Sequence, residues 1–373
     1  MLRIGVLKEP TDHKLTVLTP SGVERLKGRA VVLVQRDAGR GAGFTNKAYE
    51  EAGAELVDSE EALLGGSDLV LSYGHRDLRN RKIEGKTFIG IFNFLWEPGH
   101  VDHYLRSGVS VHSLDLIPRS TLAQSMDVLS SVGSISGYQA VLLAAERSLA
   151  TVPMITSAGG TLRPAKFLVM GAGVAGLQAI ATARRLGAVV KAYDVRTASR
   201  EEVESLGATF IEVEGAVDDK SAGGYATQQT EEFLERVRQR IHEEAAAADV
   251  VITTARVPGK RAPLLITEDM VMGMKPGAVV VDIAAATGGN CALTEPDQTV
   301  VRNEVTILGP TRIESSCAYS TSFLLSNNYT SFITYLLDHQ EKLSEDPILS
   351  ATLVVQDGHS VNQRILALQG TGK

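Results

Sequence analysis

Three glycines and one aspartate carry the clearest chemistry in this sequence. In KFLVMGAGVAGLQAIATARRLGAVVKAYDVR (166–196), an apolar run ends at Met170 and Gly171, Gly173 and Gly176 follow as G-x-G-x-x-G. A helical pattern opens behind them, and a second apolar run ends at Asp194, 18 residues after Gly176. Each part has a physical task. Gly171 permits a tight turn, Gly173 lets the backbone approach a pyrophosphate, and Gly176 lets the helix lie close on the sheet. The helix start offers free N–H groups and a partial positive charge to phosphates. An Asp194 carboxylate accepts from both ribose hydroxyls and repels a 2′-phosphate, which predicts NAD(H) rather than NADP(H). Arg196 weighs the other way, because an arginine near this point can serve a 2′-phosphate. Strand, glycine turn, helix and acid in register are far more specific than G-x-G-x-x-G alone.

A second set of functional side chains lies in IPRSTLAQSMDVLSSVGSISGYQAV (117–141), where Arg119, Gln124, Asp127 and Ser130 precede a long apolar stretch. Composition alone reads this as an inter-domain loop with a helix cap at Ser130 or Ser131. His13, His75, His100, His103 and His112 are candidates for general acid–base work, but none has an evident partner in sequence. Cys291 and Cys317 are the only cysteines. Two thiols make no disulfide framework, and no CxxC or Cys/His cluster has metal-ligand spacing. No metal is expected.

The elements that must position these groups alternate along the chain. Short runs rich in Val, Ile and Leu fall at 3–7, 30–34, 68–72, 88–92 and 109–113. They read as buried parallel strands with amphipathic helices between them. Thr19-Pro20 marks one helix start. A long helix is expected over 134–150. A second block has runs at 166–170, 188–194, 209–213, 249–253, 278–283 and 304–308. Helices are expected at about 228–248 and 319–340. This is α/β: two doubly wound parallel-sheet, Rossmann-like domains joined by long helices. The expected division is 1–127 plus about 328–373 for the first domain, and 128–327 for the nucleotide-binding one.

Composition bounds the rest. The chain has 373 residues, 44% hydrophobic and 22% charged, with net charge −7. Those values fit a globular protein of two domains. A mildly acidic chain with no basic stripe is a poor nucleic-acid binder. The start, MLRIGVLKEP, lacks a signal-peptide core, and Asp282 breaks the best apolar run. A chain without direct membrane insertion, in the cytoplasm, is expected.

Over nearly its whole length, from RIGVLKEP to SATLVVQDG, the sequence resembles the NAD(H)-binding domain I of proton-translocating nicotinamide nucleotide transhydrogenase. The most specific match is R-x4-Q-x2-D-x2-S at Arg119, Gln124, Asp127 and Ser130. GAGVAGLQAI with YDVR, TTARVPGKRAPLLIT (253–267) and VVDIAAATGGNCALT (280–294) extend it. GAVDDKSAGGYA (215–226) resembles that family's mobile loop, which carries a tyrosine, here Tyr225.

The resemblance implies a function without acid–base chemistry in this chain. NADH bound here passes its hydride to NADP+ held by another component. Arg119, Gln124, Asp127, Ser130 and Tyr225 are then the working residues. Cofactor contacts come from Gly171, Gly173, Val174, Ala175, Gly176, Asp194, Val195, Arg196, Thr254, Ala255, Pro258 and Leu265. It further implies a homodimer, an NADP(H)-binding component, and a membrane subunit through which the chain associates peripherally with the cytoplasmic membrane.

Two alternatives stay open. Alanine dehydrogenases resemble this chain at LVLSYG and IFNFLW, but carry a lysine and a histidine where Ser72 and Trp96 stand here. The arginine both families tend to carry before VALTP is missing from HKLTVLTP. A non-catalytic NAD-binding regulatory subunit would keep the glycine turn and Asp194 but would not require the Arg119–Asp127 loop.

Overall fold

A computed structural model describes residues 1–10, 13–77, 81, 83–105, 107–213 and 231–370. The chain divides into two compact units, Met1–Val132 with Glu314–Lys373, and Gly133–Ile313.

In the first unit the parallel strands are β1 (Leu2–Val6), β2 (Ala30–Gln35), β3 (Glu55–Val57), β4 (Leu69–Ser72), β5 (Thr87–Gly90) and β6 (Ser110–Ser113). They lie in the order β3-β2-β1-β4-β5-β6. Leu353–Gln356 then pairs antiparallel with β6, and His359–Ser360 antiparallel with that strand. The apolar runs form the sheet because both of its faces are covered. Ile4, Val6, Val34, Leu71 and Ile89 pack with Leu325, Tyr329, Phe332 and Ile333 of the helix Ala318–His339. That helix is therefore part of the first unit's core. The chain accordingly returns to this unit at Glu314, ahead of the position near 328 expected from sequence.

In the second unit a short antiparallel hairpin, β7 (Ile155–Ser157) and β8 (Gly160–Leu162), precedes the main sheet. Its sheet holds β9 (Lys166–Met170), β10 (Val189–Tyr193), β11 (Thr209–Phe210), β12 (Val250–Thr253), β13 (Val279–Asp282), β14 (Thr299–Arg302) and β15 (Val305–Leu308). The order is β11-β10-β9-β12-β13-β15-β14, parallel except for β14. Phe167, Val169, Ile252 and Val281 bury one face against Ala179, Ile180 and Ala183 of the helix Val174–Arg185.

The helix Val128–Arg147 begins in the first unit and ends in the second. It starts six residues ahead of the expected 134. Among the described residues it alone is long and apolar enough to cross a membrane, with mean hydropathy 1.4. A third of that span is buried. Here Ala140, Val141 and Ala144 are fully buried among Phe167, Val169 and Ala179.

Candidate functional site

In the second unit β9 ends at Met170 and the helix Val174–Arg185 starts four residues later. Only a glycine turns the chain so sharply. Gly171 sits at φ 99°, the left-handed region where a side chain is strained. Gly176 is required for a different reason: a Cβ there would stand 1.9 Å from the Gly171 carbonyl oxygen. Gly173 meets no protein constraint. Its φ is −77°, and a Cβ there finds nothing within 4 Å. The space it keeps is free for a ligand at the helix start.

The turn is also braced from behind, by a feature that sequence patterning did not reveal. A Cβ on Gly137 would lie 2.0 Å from the Ala175 carbonyl oxygen, and Gly133 faces Val174 and the Ala175 N–H. Gly133 and Gly137, four apart in the long helix, let its backbone touch the first turn of the dinucleotide helix. The G-x-x-x-G spacing was visible, but its partner was not.

Asp194 follows β10. Its Oδ2 accepts the Ala172 N–H at 2.7 Å, and its Oδ1 accepts the Arg196 N–H at 2.9 Å. The Arg196 guanidinium adds two bonds of 2.9 Å, Nε to Oδ1 and Nη2 to Oδ2. Burial pushes the Asp194 carboxyl up, but these four donors outweigh it and hold it below the usual carboxylate range. Val195, between the two, is half-buried and packs on the core beside Tyr193 and Ile211.

The segment after β12 closes over the turn. Thr254 Oγ1 donates to the Gly171 carbonyl at 3.2 Å, within reach of that of Met170 at 3.3 Å. Ala255 follows, and its carbonyl accepts from Asn290 Nδ2 at 2.9 Å. Asn290 also donates to the Pro263 carbonyl at 2.8 Å, and its own carbonyl accepts the Leu265 N–H at 2.8 Å. Pro258 lies exposed between these anchors. Asn290 is held in turn by Asp282, whose Oδ2 accepts the N–H groups of Asn290 and Cys291 and the Thr294 hydroxyl. Asp282 and Asn290 thus shape the 254–265 loop. The motif 280–294 contained both, without indicating which residues mattered.

In the first unit, Arg119, Gln124 and Asp127 line an open cavity of about 370 Å³ with Pro118, Ser120, Thr121 and Ala123. Arg119 and Gln124 are exposed. Two short turns build this loop, and Asn328 fixes it from the helix Ala318–His339 by donating to the Ser125 carbonyl at 2.9 Å. The cap differs from the one expected at Ser130 or Ser131. The helix starts at Val128, and Asp127 is its cap, accepting the Ser130 N–H at 2.9 Å and the Ser130 hydroxyl at 2.6 Å. A carboxylate at the N-cap takes two donors of the first turn and still keeps one lone pair on each oxygen. The Ser130 hydroxyl proton is thus held by Asp127. Tyr225 and the stretch 215–226 lie outside the described residues.

Comparison with known proteins identifies the line of descent. Residues 5–136 match the model for the N-terminal domain of alanine dehydrogenase/PNT, and residues 140–363 match its C-terminal domain. The chain belongs to the alanine dehydrogenase/PNT family. It is 39% identical to the first of the alpha-subunit chains of NAD(P) transhydrogenase from Rhodospirillum rubrum, covering all of both chains. It superposes on the crystal structure of transhydrogenase from Sinorhizobium meliloti with a TM-score of 0.84, at 34% identity, over 97% of this chain and 99% of that one. An L-alanine dehydrogenase matches at TM-score 0.83 over 99% of both, but at 22% identity, which shows the fold alone. The family gives this chain an NAD(H)-binding role in an oxidoreductase of the transhydrogenase type.

Neither residue at the two positions compared with alanine dehydrogenases, Ser72 and Trp96, is a lysine or a histidine. Ser72 is fully buried at the end of β4 and donates to the Gly74 carbonyl at 3.2 Å; Trp96 is partly exposed. The histidines find partners that sequence distance hid. His75 stacks on His100 at 4.3 Å between centroids and tilts against His103 at 4.8 Å. Burial, then the neighbouring histidines, push His75 down to about 4. Burial alone does the same to His112, whose Nδ1 pairs with Thr352 Oγ1 at 3.0 Å. Among the described residues no group of His, Cys, Asp or Glu could hold a metal.

Proposed function

We propose that this chain is the NAD(H)-binding component of a proton-translocating transhydrogenase. Hydride passes directly between NADH held here and NADP+ held by a partner component, and a membrane part couples the transfer to proton movement. The observation that carries this reading is the Arg119–Gln124–Asp127 set lining one cavity. Binding of ribose and phosphate alone would not require it. Identity of 39% over the full length of a transhydrogenase subunit supports it.

The bound nicotinamide supplies the hydride; the chain supplies position and dryness. First-turn N–H groups of Val174, Ala175 and Gly176 bind the pyrophosphate, and Gly173 leaves it room. Asp194 accepts the adenosine ribose, with Val195 and Arg196 beside it. Thr254, Ala255, Pro258 and Leu265 complete the nucleotide contacts. The free lone pairs of Asp127 take the carboxamide N–H, and Arg119 holds the ribose side of the nicotinamide. Gln124 bridges toward the partner's nucleotide, and Tyr225 closes the site. The working unit is a homodimer, held at the cytoplasmic membrane through its partner subunits.

Reconstitution tests this. Membranes from the source cells are stripped of peripheral proteins and mixed with the purified chain, NADPH and an NAD+ analogue whose reduction is visible. Reduction that depends on the chain is the expected result. NADH binding without any reduction would instead favour a regulatory subunit, and turnover of pyruvate with ammonium would favour an amino-acid dehydrogenase.

A further inference from the structure

We propose that Arg196 is a resident competitor for the ribose, seated on Asp194 in place of the cis-diol, and that its displacement is a step in nucleotide binding. The inference rests on Asp194 being the ribose acceptor. A carboxylate offers about four in-plane acceptor positions, two per oxygen. On Asp194 all four are taken: Oδ1 by the Arg196 N–H and Nε, Oδ2 by the Ala172 N–H and Arg196 Nη2. A ribose diol brings two donors to two oxygens, and no in-plane position is vacant for either.

The two kinds of donor are not equivalent. Those from the backbone are fixed by the turn after β9 and by the chain after β10, and they stay whatever the side chain does. The guanidinium is different. It contributes one bond to each oxygen, as the two hydroxyls of a diol would. The Arg196 side chain is also the more exposed partner, 30% against 8% for Asp194. When Arg196 leaves, Asp194 keeps both backbone bonds, stays oriented, and gains one open position per oxygen.

Arg196 therefore adds selectivity through its own displacement. An unmodified ribose replaces two N–H donors with two O–H donors, so the carboxylate remains paired. A 2′-phosphate offers no donor at that oxygen and meets Asp194 as a like charge. With Asp194 removed, the same arginine becomes the natural partner of a 2′-phosphate, because its fork fits phosphate oxygens. Selectivity thus belongs to the Asp194–Arg196 pair.

Calorimetry on the purified full chain separates the possibilities. Arg196→Ala is expected to bind NADH about tenfold more tightly than the parent, a factor equal to about 1.4 kcal/mol. ADP should gain similarly, but 2′,3′-dideoxyadenosine 5′-diphosphate, which has no diol, should not. Arg196→Lys, which cannot fork, should fall between. Asp194→Ala should weaken NADH and strengthen NADPH, and adding Arg196→Ala should remove the NADPH gain. NADH binding to Arg196→Ala that is unchanged or weaker, or an equal gain for the dideoxy nucleotide, overturns the competitor role. A parent chain that binds no NADH overturns the nucleotide-binding reading itself, which is a different result.

Discussion

The two sheets of this chain share the same strand order for their first five strands and a parallel strand in the sixth place, yet only one carries a G-x-G-x-x-G turn. In the first unit the order is β3-β2-β1-β4-β5-β6; in the second it is β11-β10-β9-β12-β13-β15. The difference lies in the first crossover. After β9, four residues reach the helix, and its free N–H groups stand at the sheet's end. After β1, the next helix, Pro20–Leu26, starts fourteen residues on. In that interval stands Glu9, a 6% exposed carboxylate paired with Arg76 at 3.0 Å. It also accepts the Tyr73 N–H at 2.7 Å, from the end of β4. One winding thus gives an open helix start, the proposed anion cradle, where glycines bring a helix end close. It gives a buried ion pair where a long connection carries an acid instead. Topology offers the crevice, and the local backbone decides what can occupy it.

The sharpest way to break that contrast is to fill the second unit's turn. Gly176→Ala puts a methyl 1.9 Å from the Gly171 carbonyl oxygen, so the helix must lift from β9. We expect loss of NADH binding by more than about 100-fold, and destabilisation of the second unit by about 3 kcal/mol, at the upper end for overpacking. Calorimetry and thermal melts check both. Parental affinity in this variant would mean that close helix–strand contact is not what builds the cradle.

How much of this was legible in sequence follows from where each constraint lies. The glycine turn is a backbone device contained in a few residues, so type and spacing announce it. The central strands declare themselves because parallel sheets are apolar on both faces. The hairpin β7–β8 is exposed throughout, and β3 is three residues long with only Leu56 and Val57 half-buried, so neither has an apolar run to betray it. Asp127 and Ser130 can both cap a helix, and spacing does not choose between them. In the structure the aspartate takes the role and the serine donates to it. Gly137 and Ala175 touch across 38 positions, and His75 and His100 across 25, distances over which a single sequence holds no record of contact. The helix at about 319–340 was legible as an element that returns the chain to the first domain, and its residues Leu325, Tyr329 and Phe332 do pack in that unit's core.

The next effect probes the first unit's loop against the second unit's turn. Gln124 is exposed on the cavity of about 370 Å³ and has no phosphate- or ribose-binding role in the proposed mechanism. Gln124→Asn shortens its reach by one methylene. We expect hydride transfer in the reconstituted complex to slow by up to about 100-fold, as misplacement of the order of 1 Å allows. NADH affinity should stay within about twofold. Equal transfer rates in variant and parent would remove Gln124 from the mechanism and leave the loop a structural cap.

Gly173→Ala sharpens the difference between fold and function inside the turn itself. A Cβ there meets no protein atom within 4 Å and φ is ordinary, so melting should be nearly unchanged. In the proposed complex the methyl intrudes only on the pyrophosphate. NADH binding should weaken by about tenfold, or about 1.4 kcal/mol. A fall in stability as large as that of Gly176→Ala would mean that both glycines serve the fold alone.

The smallest effect separates the units by pH. His75 and His112, both with lowered pKa values near 4, lie in the first unit. In the unfolded chain a histidine titrates near 6.5, so between about pH 6.5 and 4 the unfolded state binds the extra proton. Stability from a buried neutral histidine is therefore full above that window and is lost as pH falls through it. For His112, only 2% exposed, the loss between pH 7 and 6 is roughly 1 kcal/mol or less. His75 adds in the same direction, weakened by its partial exposure. Hydrogen exchange followed at pH 7 and pH 6 should show the first unit's slowest amides losing protection, and His112→Leu should flatten that change. Equal loss in both units, or no change on substitution, would place the acid sensitivity outside these two rings.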